Sequence, residues 1–155
     1  MTKNVKIEKL RPTDLRRVME IQAEVGLSHW SHRDYTEELV RTDSLMVKAV
    51  NDSSECVGFL VGRRVPGEKD ENEFEIYNIG VSLDHQRKRI GSALIEEVLA
   101  VCKRDRIAAI WLDVRASNEI AKTFYQTFGF VNAATRRNFY RDPVEDGIVM
   151  KLAFD

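Results

Sequence analysis

Residues 74–102 carry the clearest structural signal in the chain, and they run FEIYNIGVSLDHQRKRIGSALIEEVLAVC. Residues 74–81 are rich in β-branched and aromatic side chains, which predicts a strand. From Ile90 onward, apolar residues recur every four positions, at Leu94, Val98 and Cys102, which predicts a helix with one apolar face. A polar turn joins the two, so the stretch is a strand, a turn and a helix in succession.

The polar turn holds three consecutive cations, Arg87, Lys88 and Arg89, directly before the predicted helix. The first N–H groups of a helix have no acceptor within it and carry partial positive charge, so they favour an anion such as phosphate. Gly91 lacks a Cβ atom, which lets a ligand approach the backbone closely. The spacing matches neither a Walker A loop nor G-x-G-x-x-G, so no triphosphate or dinucleotide site is indicated. A solvated basic helix start is the alternative interpretation.

The rest of the chain alternates between strand and helix patterns. We predict strands at about residues 5–10, 45–50, 56–65, 108–114, 130–135 and 147–154. Helices are expected to begin at Thr13, as an N-cap, and at Ser31, which forms a capping box with Asp34.

A further helix is predicted over residues 118–128, where two stripes of side chains compete for the core. Spacing by four predicts that Ile120, Phe124 and Phe128 face inward. A second stripe places Asn118 and Tyr125 together around a small alanine, which is typical of a surface that faces a ligand. A Tyr125 at the rim with its hydroxyl in water is the alternative.

Length and composition restrict the class of protein. The chain has 155 residues with 24 Lys and Arg against 25 Asp and Glu, a net charge of −1, so we predict one domain and no dedicated nucleic-acid binding. No targeting segment or membrane span is apparent, and a cytoplasmic location is expected. Cys56 and Cys102 lack ligand spacing, and His29 with His32 lacks a third ligand, so no metal is predicted.

Several stretches together resemble a known superfamily. Gln86, Arg89 and Gly91 follow the pattern Q/R-x-x-G-x-G/A of the GNAT N-acetyltransferases, although Arg89 replaces the usual first glycine. WLDVRASN at 111–118, Tyr125, RRNFY at 136–140 and EDGIVM at 145–150 resemble the RimI-type branch, whose members acetylate the N-terminal alanine of a ribosomal protein.

The resemblance implies a fold and a cofactor. The fold is α/β (α+β): a single GNAT-type domain over residues 1–155, with a mixed, mostly antiparallel central sheet flanked by helices. Acetyl-CoA is the implied co-substrate, without a metal. The residues implied to bind it are Ile79, Gly80, Val81, Gln86, Arg87, Lys88, Arg89, Ile90, Gly91, Ser92 and Asn118.

Acetyl transfer to an amine needs a base, an oxyanion donor and a proton for the leaving thiolate. By resemblance, the Val81 N–H serves the oxyanion and Tyr125 donates to sulfur. Asp113 stands where the RimI-type pattern has Glu, and it is the expected base, with Glu75 as the second candidate. Alternatively, Asp113 is structural and pairs with Arg115, which lies on the same strand face.

The implied acceptor is the N-terminal amine of a protein or peptide, with a ribosomal protein as one candidate. Trp30, Arg136 and Tyr140 are the expected acceptor-binding residues, although Trp30 in the core is equally compatible with the sequence. Transfer is expected by direct attack in a ternary complex. A transferase for small amines and a coenzyme A-binding module without turnover are the alternatives; no membrane or nucleic-acid partner is expected, and the chain is a monomer or a homodimer.

Overall fold

A computed structural model describes residues 5–27 and 30–155. The helices are α1 (Leu15–Val25), α2 (His32–Leu39), α3 (Ile90–Arg104) and α4 (Glu119–Gln126). The strands are β1 (Val5–Lys9), β2 (Ser44–Asn51), β3 (Cys56–Pro66), β4 (Asn72–Val81), β5 (Ala109–Arg115), β6 (Val131–Tyr140) and β7 (Glu145–Ala153). His29, considered above as one of a histidine pair, lies outside the described residues.

The seven strands follow the order β1-β2-β3-β4-β5-β7-β6 in one sheet. The pair β4–β5 is parallel, with Phe74 opposite Ile110 and Glu75 opposite Trp111. The pairs β1–β2, β2–β3, β5–β7 and β6–β7 are antiparallel. The predicted mixed, mostly antiparallel sheet with flanking helices is therefore confirmed.

Two compact units make up the chain. The first comprises residues up to 64 together with 76–105. Its core is built from apolar side chains of β1–β3 and α1–α2, and these include Leu10, Leu15, Val18, Ile21, Tyr35, Met46, Phe59 and Val61. The apolar face predicted for α3 is buried, from Ile90 through Leu94 and Val98 to Cys102.

The second unit comprises residues 65–75 and 106–155. Its buried side chains come mainly from β5, β7, α4 and the segment after α4, and they include Ala109, Ile110, Leu112, Val114, Tyr125, Phe130, Val149 and Met150. Gly129 ends the turn after α4 with φ of 102°, a conformation that glycine adopts without strain.

Two local predictions are wrong. Thr13 does not cap α1, because a 3-10 turn over Pro12–Asp14 precedes the helix and the Asp14 carboxylate accepts the Arg11 N–H at 2.8 Å. Ile120 does not face the core, since it is 81% exposed, whereas Tyr125 is the buried residue of α4. A spacing of four identifies an apolar stripe but not how far the helix is rotated toward the core. The Ser31–Asp34 capping box is confirmed.

Candidate active site

The turn before α3 is closed by its own polar groups. The Gln86 Nε2 donates to the Val81 carbonyl at 3.1 Å, and the Ser82 N–H donates to the Val57 carbonyl at 2.9 Å. Residues 86–89 are exposed and lead directly into the fifteen residues of α3. The turn therefore presents main-chain N–H donors and three cations at one helix start, a donor set that fits a diphosphate.

Arg87 and Arg89 take unusual backbone conformations in this turn. Their φ values are 64° and 62°, and Arg89 is the N-cap residue of α3. For a residue with a Cβ atom the left-handed region costs about 1–2 kcal/mol. Arg89 stands at the position of the first glycine in the superfamily pattern. Its backbone has the left-handed conformation that glycine adopts readily, although the residue is an arginine.

The end of β4 approaches neighbouring elements closely at Gly80. A Cβ atom there would lie 3.0 Å from Leu27 Cδ1 and 3.1 Å from a Phe59 ring carbon. Gly80 is buried, whereas Ile79 and Val81 are half-buried on the other strand face. The missing side chain thus lets α1 and β3 pack against the strand without displacing it.

In the second unit, Asp113 forms an ion pair that the sequence analysis missed. The Arg136 Nε lies 3.1 Å from Asp113 Oδ1, and the side chains are 55% and 31% exposed. The two residues reach each other across β7, because Asp113 lies opposite Val149 and Arg136 lies opposite Gly147. Partial burial raises the pKa of Asp113, and the Arg136 guanidinium opposes that increase. The raised pKa suits a carboxylate that accepts a proton.

The expected alternative partner of Asp113 is engaged elsewhere. Arg115 Nη1 donates to the Pro143 carbonyl at 3.0 Å and to Glu145 at 3.2 Å, and Nη2 donates to the Arg141 carbonyl at 3.0 Å. Its guanidinium also lies 4.6 Å from the Tyr140 ring centroid. The proposed Asp113–Arg115 pair is therefore wrong, since Arg115 holds the hairpin between β6 and β7.

Tyr125 is enclosed by aromatic rings. Its ring centroid lies 5.2 Å from that of Phe124 and 5.7 Å from that of Phe130, and 7% of the residue is exposed. Burial, reinforced by Tyr140, raises the pKa of Tyr125 well above that of a free phenol. The hydroxyl consequently stays protonated near neutral pH and can donate, and the interpretation of Tyr125 as a solvated rim residue is wrong.

Tyr140 interacts electrostatically with the Asp113 carboxylate and with the Tyr125 phenol. Burial raises its pKa to about 12, and the nearby Asp113 carboxylate contributes to the same shift. Tyr140 also acts electrostatically on Tyr125, while Asp113 and Arg136 are in direct contact with each other. The family resemblance selects each of these residues, whereas the contact between Asp113 and Arg136 depends on the register of β5, β7 and β6.

Two other predicted site residues have structural contacts in the second unit. Glu75 lies opposite Trp111 in the parallel strand pair. Asn118 caps α4, because its Oδ1 accepts the Ala121 N–H at 3.0 Å. Asn118 therefore has a structural role as the N-cap of α4, and its role in binding acetyl-CoA stays a prediction.

Trp30 packs in the first unit between two tyrosines. Its ring centroid lies 5.1 Å from Tyr35 and 5.8 Å from Tyr77. Trp30 also lines an open cavity of about 350 Å³ whose other lining residues are charged: Asp34, Glu37, Glu38, Arg41 and Arg63. The residue is thus both packed and accessible from one side.

Within residues 5–27 and 30–155, no cluster of three or more His, Cys, Asp or Glu side chains is placed to hold a metal ion. None of the helices there has the length and apolar character to cross a membrane.

Comparison with known proteins gives a consistent result. Residues 15–130 match the model of the acetyltransferase (GNAT) family. The [ribosomal protein bS18]-alanine N-acetyltransferase of Escherichia coli strain K12 is 30% identical over 148 residues, 94% of this chain and 95% of that protein.

Solved structures agree with the sequence matches. The crystal structure of the ribosomal-protein-S18-alanine N-acetyltransferase from Escherichia coli covers 96% of this chain, and this chain covers 93% of it, with a TM-score of 0.83 and 30% identity. Arabidopsis thaliana Naa50, in complex with the bisubstrate analogue CoA-Ac-MVNAL, gives a TM-score of 0.85 at 25% identity and covers 97% of this chain, which covers 99% of it.

Proposed function

The chain belongs to the acetyltransferase (GNAT) family, and on that premise we propose that it moves an acetyl group from acetyl-CoA to the N-terminal amine of a protein that begins with alanine. A ribosomal protein is the first candidate, because the relatives at 30% identity carry that substrate in their names. We further propose that residues 1–155 act as one acetyltransferase domain in the cytoplasm.

The observation that carries this proposal is the pair of Asp113 and Tyr125 in one unit. One is a half-buried carboxylate with a raised pKa, and the other is a buried phenol that stays protonated. An acceptor and a donor of protons are what amine acetylation requires. The Arg136 contact opposes the rise in the pKa of Asp113, and Tyr140 interacts electrostatically with both Asp113 and Tyr125.

We assign cofactor binding to the first unit. The turn at residues 86–92 supplies main-chain N–H groups and cations for the diphosphate, and the backbone of Ile79, Gly80 and Val81 pairs with the pantetheine arm. Glycine at position 80 keeps the end of β4 in register with its packing neighbours, as the close contacts to Leu27 and Phe59 require.

The chemical step follows from these assignments. An acceptor ammonium loses a proton to the Asp113 carboxylate, and the neutral nitrogen attacks the thioester carbonyl carbon. The carbonyl oxygen, now negative, is stabilised by the Val81 N–H. The C=O bond then re-forms as the C–S bond breaks, the leaving sulfur takes the Tyr125 proton, and the nitrogen's second proton returns the tyrosine to its starting state. Asp113 releases its proton to solvent, which completes the cycle. Glu75 replaces Asp113 in the second version of this scheme.

Direct attack is favoured over a covalent acetyl-enzyme. Burial raises the pKa of both cysteine thiols, that of Cys102 to about 12, so neither forms a thiolate readily.

The test is release of the coenzyme A thiol with a panel of amines. A peptide that begins with alanine is compared with the same peptide already acetylated at its N-terminus, and with a polyamine and free amino acids. We expect turnover on the free peptide alone. Turnover on the small amines alone would establish the small-molecule alternative. Stabilisation by acetyl-CoA with no thiol release on any amine would establish a coenzyme A-binding module.

A further inference from the structure

A chain of hydrogen bonds between buried polar side chains crosses the core of the first unit. The Gln22 Nε2 donates to the Trp30 carbonyl at 2.8 Å, the Tyr35 hydroxyl donates to Gln22 Oε1, and the Asn78 Nδ2 donates to the Tyr35 oxygen at 3.0 Å. The exposed fractions of Gln22, Tyr35 and Asn78 are 7%, 0% and 3%. The network joins α1, the segment at residue 30, α2 and β4.

This network is costly for a purely structural role. Burying an amide or a hydroxyl costs free energy unless its partners are supplied, and apolar side chains would fill the same space without that requirement. The surroundings are apolar, since Tyr35 packs in a cluster with Leu15, Val18 and Ile21. Burial raises the pKa of Tyr35 to about 12, so its hydroxyl remains a donor to Gln22 throughout the physiological range.

The network holds Trp30 from one side and the neighbouring rings hold it from another. Gln22 fixes its carbonyl, while the rings of Tyr35 and Tyr77 contact its indole. Tyr77 in turn lies under the Arg63 guanidinium, 5.2 Å from its ring centroid. Trp30 is thus fixed to β4 through Asn78 and Tyr77, the two residues that directly precede Ile79.

We propose that Gln22, Tyr35 and Asn78 are positioning residues, which fix Trp30 against β4 so that it presents a preformed surface to the acceptor peptide. The inference rests on the proposed function, because it takes Trp30 as an acceptor-binding residue. None of the three side chains contacts a substrate. Their effect is therefore expected in the KM for the acceptor and not in the chemical step.

The first experiment is steady-state kinetics of Tyr35→Phe with the alanine peptide. The substitution removes one oxygen from the network and keeps the ring. We expect the KM for the peptide to rise about tenfold, as the loss of a buried hydrogen bond warrants, while kcat and the KM for acetyl-CoA stay within about twofold. Gln22→Met, which removes that side chain's hydrogen bonds to Trp30 and Tyr35, is expected to act in the same direction.

The matched control is Val18→Ala, one helical turn before Gln22 in the same core. It creates a cavity in that core but removes no hydrogen-bonding group of the network, so it is expected to lower the thermal midpoint and leave the KM for the peptide unchanged. An unchanged KM in Tyr35→Phe, or an equal rise in Val18→Ala, would overturn the proposal.

A second readout does not depend on which amine is the acceptor. The chain has two tryptophans, so Trp111→Phe leaves Trp30 as the single emitter. In that background we expect Tyr35→Phe to shift the emission to longer wavelength as Trp30 loosens. If the emission shifts but the wild type does not acetylate the peptide, the proposed acceptor is wrong and the network still positions Trp30. If the emission does not shift, the network does not position Trp30 and the proposal is overturned.

Discussion

The ion pair between Asp113 and Arg136 links the expected base to a residue expected to bind the acceptor. The contact spans two strands, and it gives the carboxylate a fixed position as well as a counter-charge. Burial and the guanidinium act on the pKa of Asp113 in opposite directions, and burial is the stronger influence. The carboxylate is thus poised to accept a proton at a higher pH than a solvated aspartate.

Replacement of the base tests its assignment. We expect Asp113→Ala to reduce kcat at least tenfold, because general-base catalysis typically contributes that much or more. The comparison is Glu75→Ala, which is expected to leave turnover near that of the wild type. The kcat of each variant is measured from initial rates at saturating acetyl-CoA and peptide. A larger loss of kcat in Glu75→Ala than in Asp113→Ala would assign the base to Glu75.

The counter-charge sets the pH dependence of turnover. Asp113 works as the carboxylate, so kcat falls as the pH drops through its pKa. Arg136→Gln removes the cation that lowers this pKa, and the acidic limb of the kcat profile is expected to move to higher pH.

Arg137→Gln is the matched control for the pH profile, because it removes a charge from the next residue of the same exposed strand. We expect its acidic limb to coincide with that of the wild type. If both variants move the limb equally, long-range charge and not the Asp113 contact sets the pKa.

Single residues show where sequence patterns are informative and where they fail. Tyr125 and Asp113 could be selected from their neighbours in sequence, since the stretch at 111–118 and the following tyrosine resemble the superfamily. The partner of Asp113 could not, because it depends on strand order and on the register of β7 against β5 and β6. The rotation of α4, which exposes Ile120, is likewise set by tertiary packing.

The turn before α3 is the element in which backbone conformation and sequence disagree. Arg87 and Arg89 occupy a region that glycine enters freely, and Lys88 between them does not. The conformation is that of the superfamily's glycine, whereas the side chain at Arg89 adds a cation at the helix start.

Glycine substitution measures the strain in that turn. We expect Arg89→Gly to raise the free energy of unfolding by about 1 kcal/mol, because it removes the left-handed penalty in the folded state. Lys88→Gly, which relieves no such penalty, should lower it through the added freedom of the unfolded chain. Urea denaturation of the two variants provides the measurement, and a loss of stability in Arg89→Gly would contradict the assignment of strain.

Most elements could be predicted from periodicity, and their ends could not. The apolar face of α3 and the capping box of α2 are explicit in the sequence and are confirmed. The sequence pattern predicts that β6 ends near residue 135, but the strand extends to Tyr140, because pairing with β7 resumes at Tyr140, opposite Glu145, after an irregularity beyond Arg136. Exposed edge strands carry little apolar alternation, so their length is decided by their partner.

The architecture of the whole molecule was predictable mainly through resemblance. Alternating strands and helices indicate an α/β class, but strand order 1-2-3-4-5-7-6 with one parallel pair does not follow from periodicity. The turn motif and the C-terminal stretches indicated a GNAT-type domain with a mixed, mostly antiparallel sheet, which the family and structural matches support, whereas the strand order itself comes from the structure. The acceptor is specified by surface detail, which varies among proteins that share a fold.

The most direct measurement is tandem mass spectrometry of a peptide that begins with alanine and contains an internal lysine, after incubation with the protein and acetyl-CoA. The peptide offers an α-amine and an ε-amine to one active site, and the fragment masses locate the added acetyl group. We predict acetylation of the α-nitrogen of alanine alone, and its loss in Tyr125→Phe. Acetyl groups on the lysine side chain alone, or an unmodified peptide, would contradict N-terminal acetyl transfer.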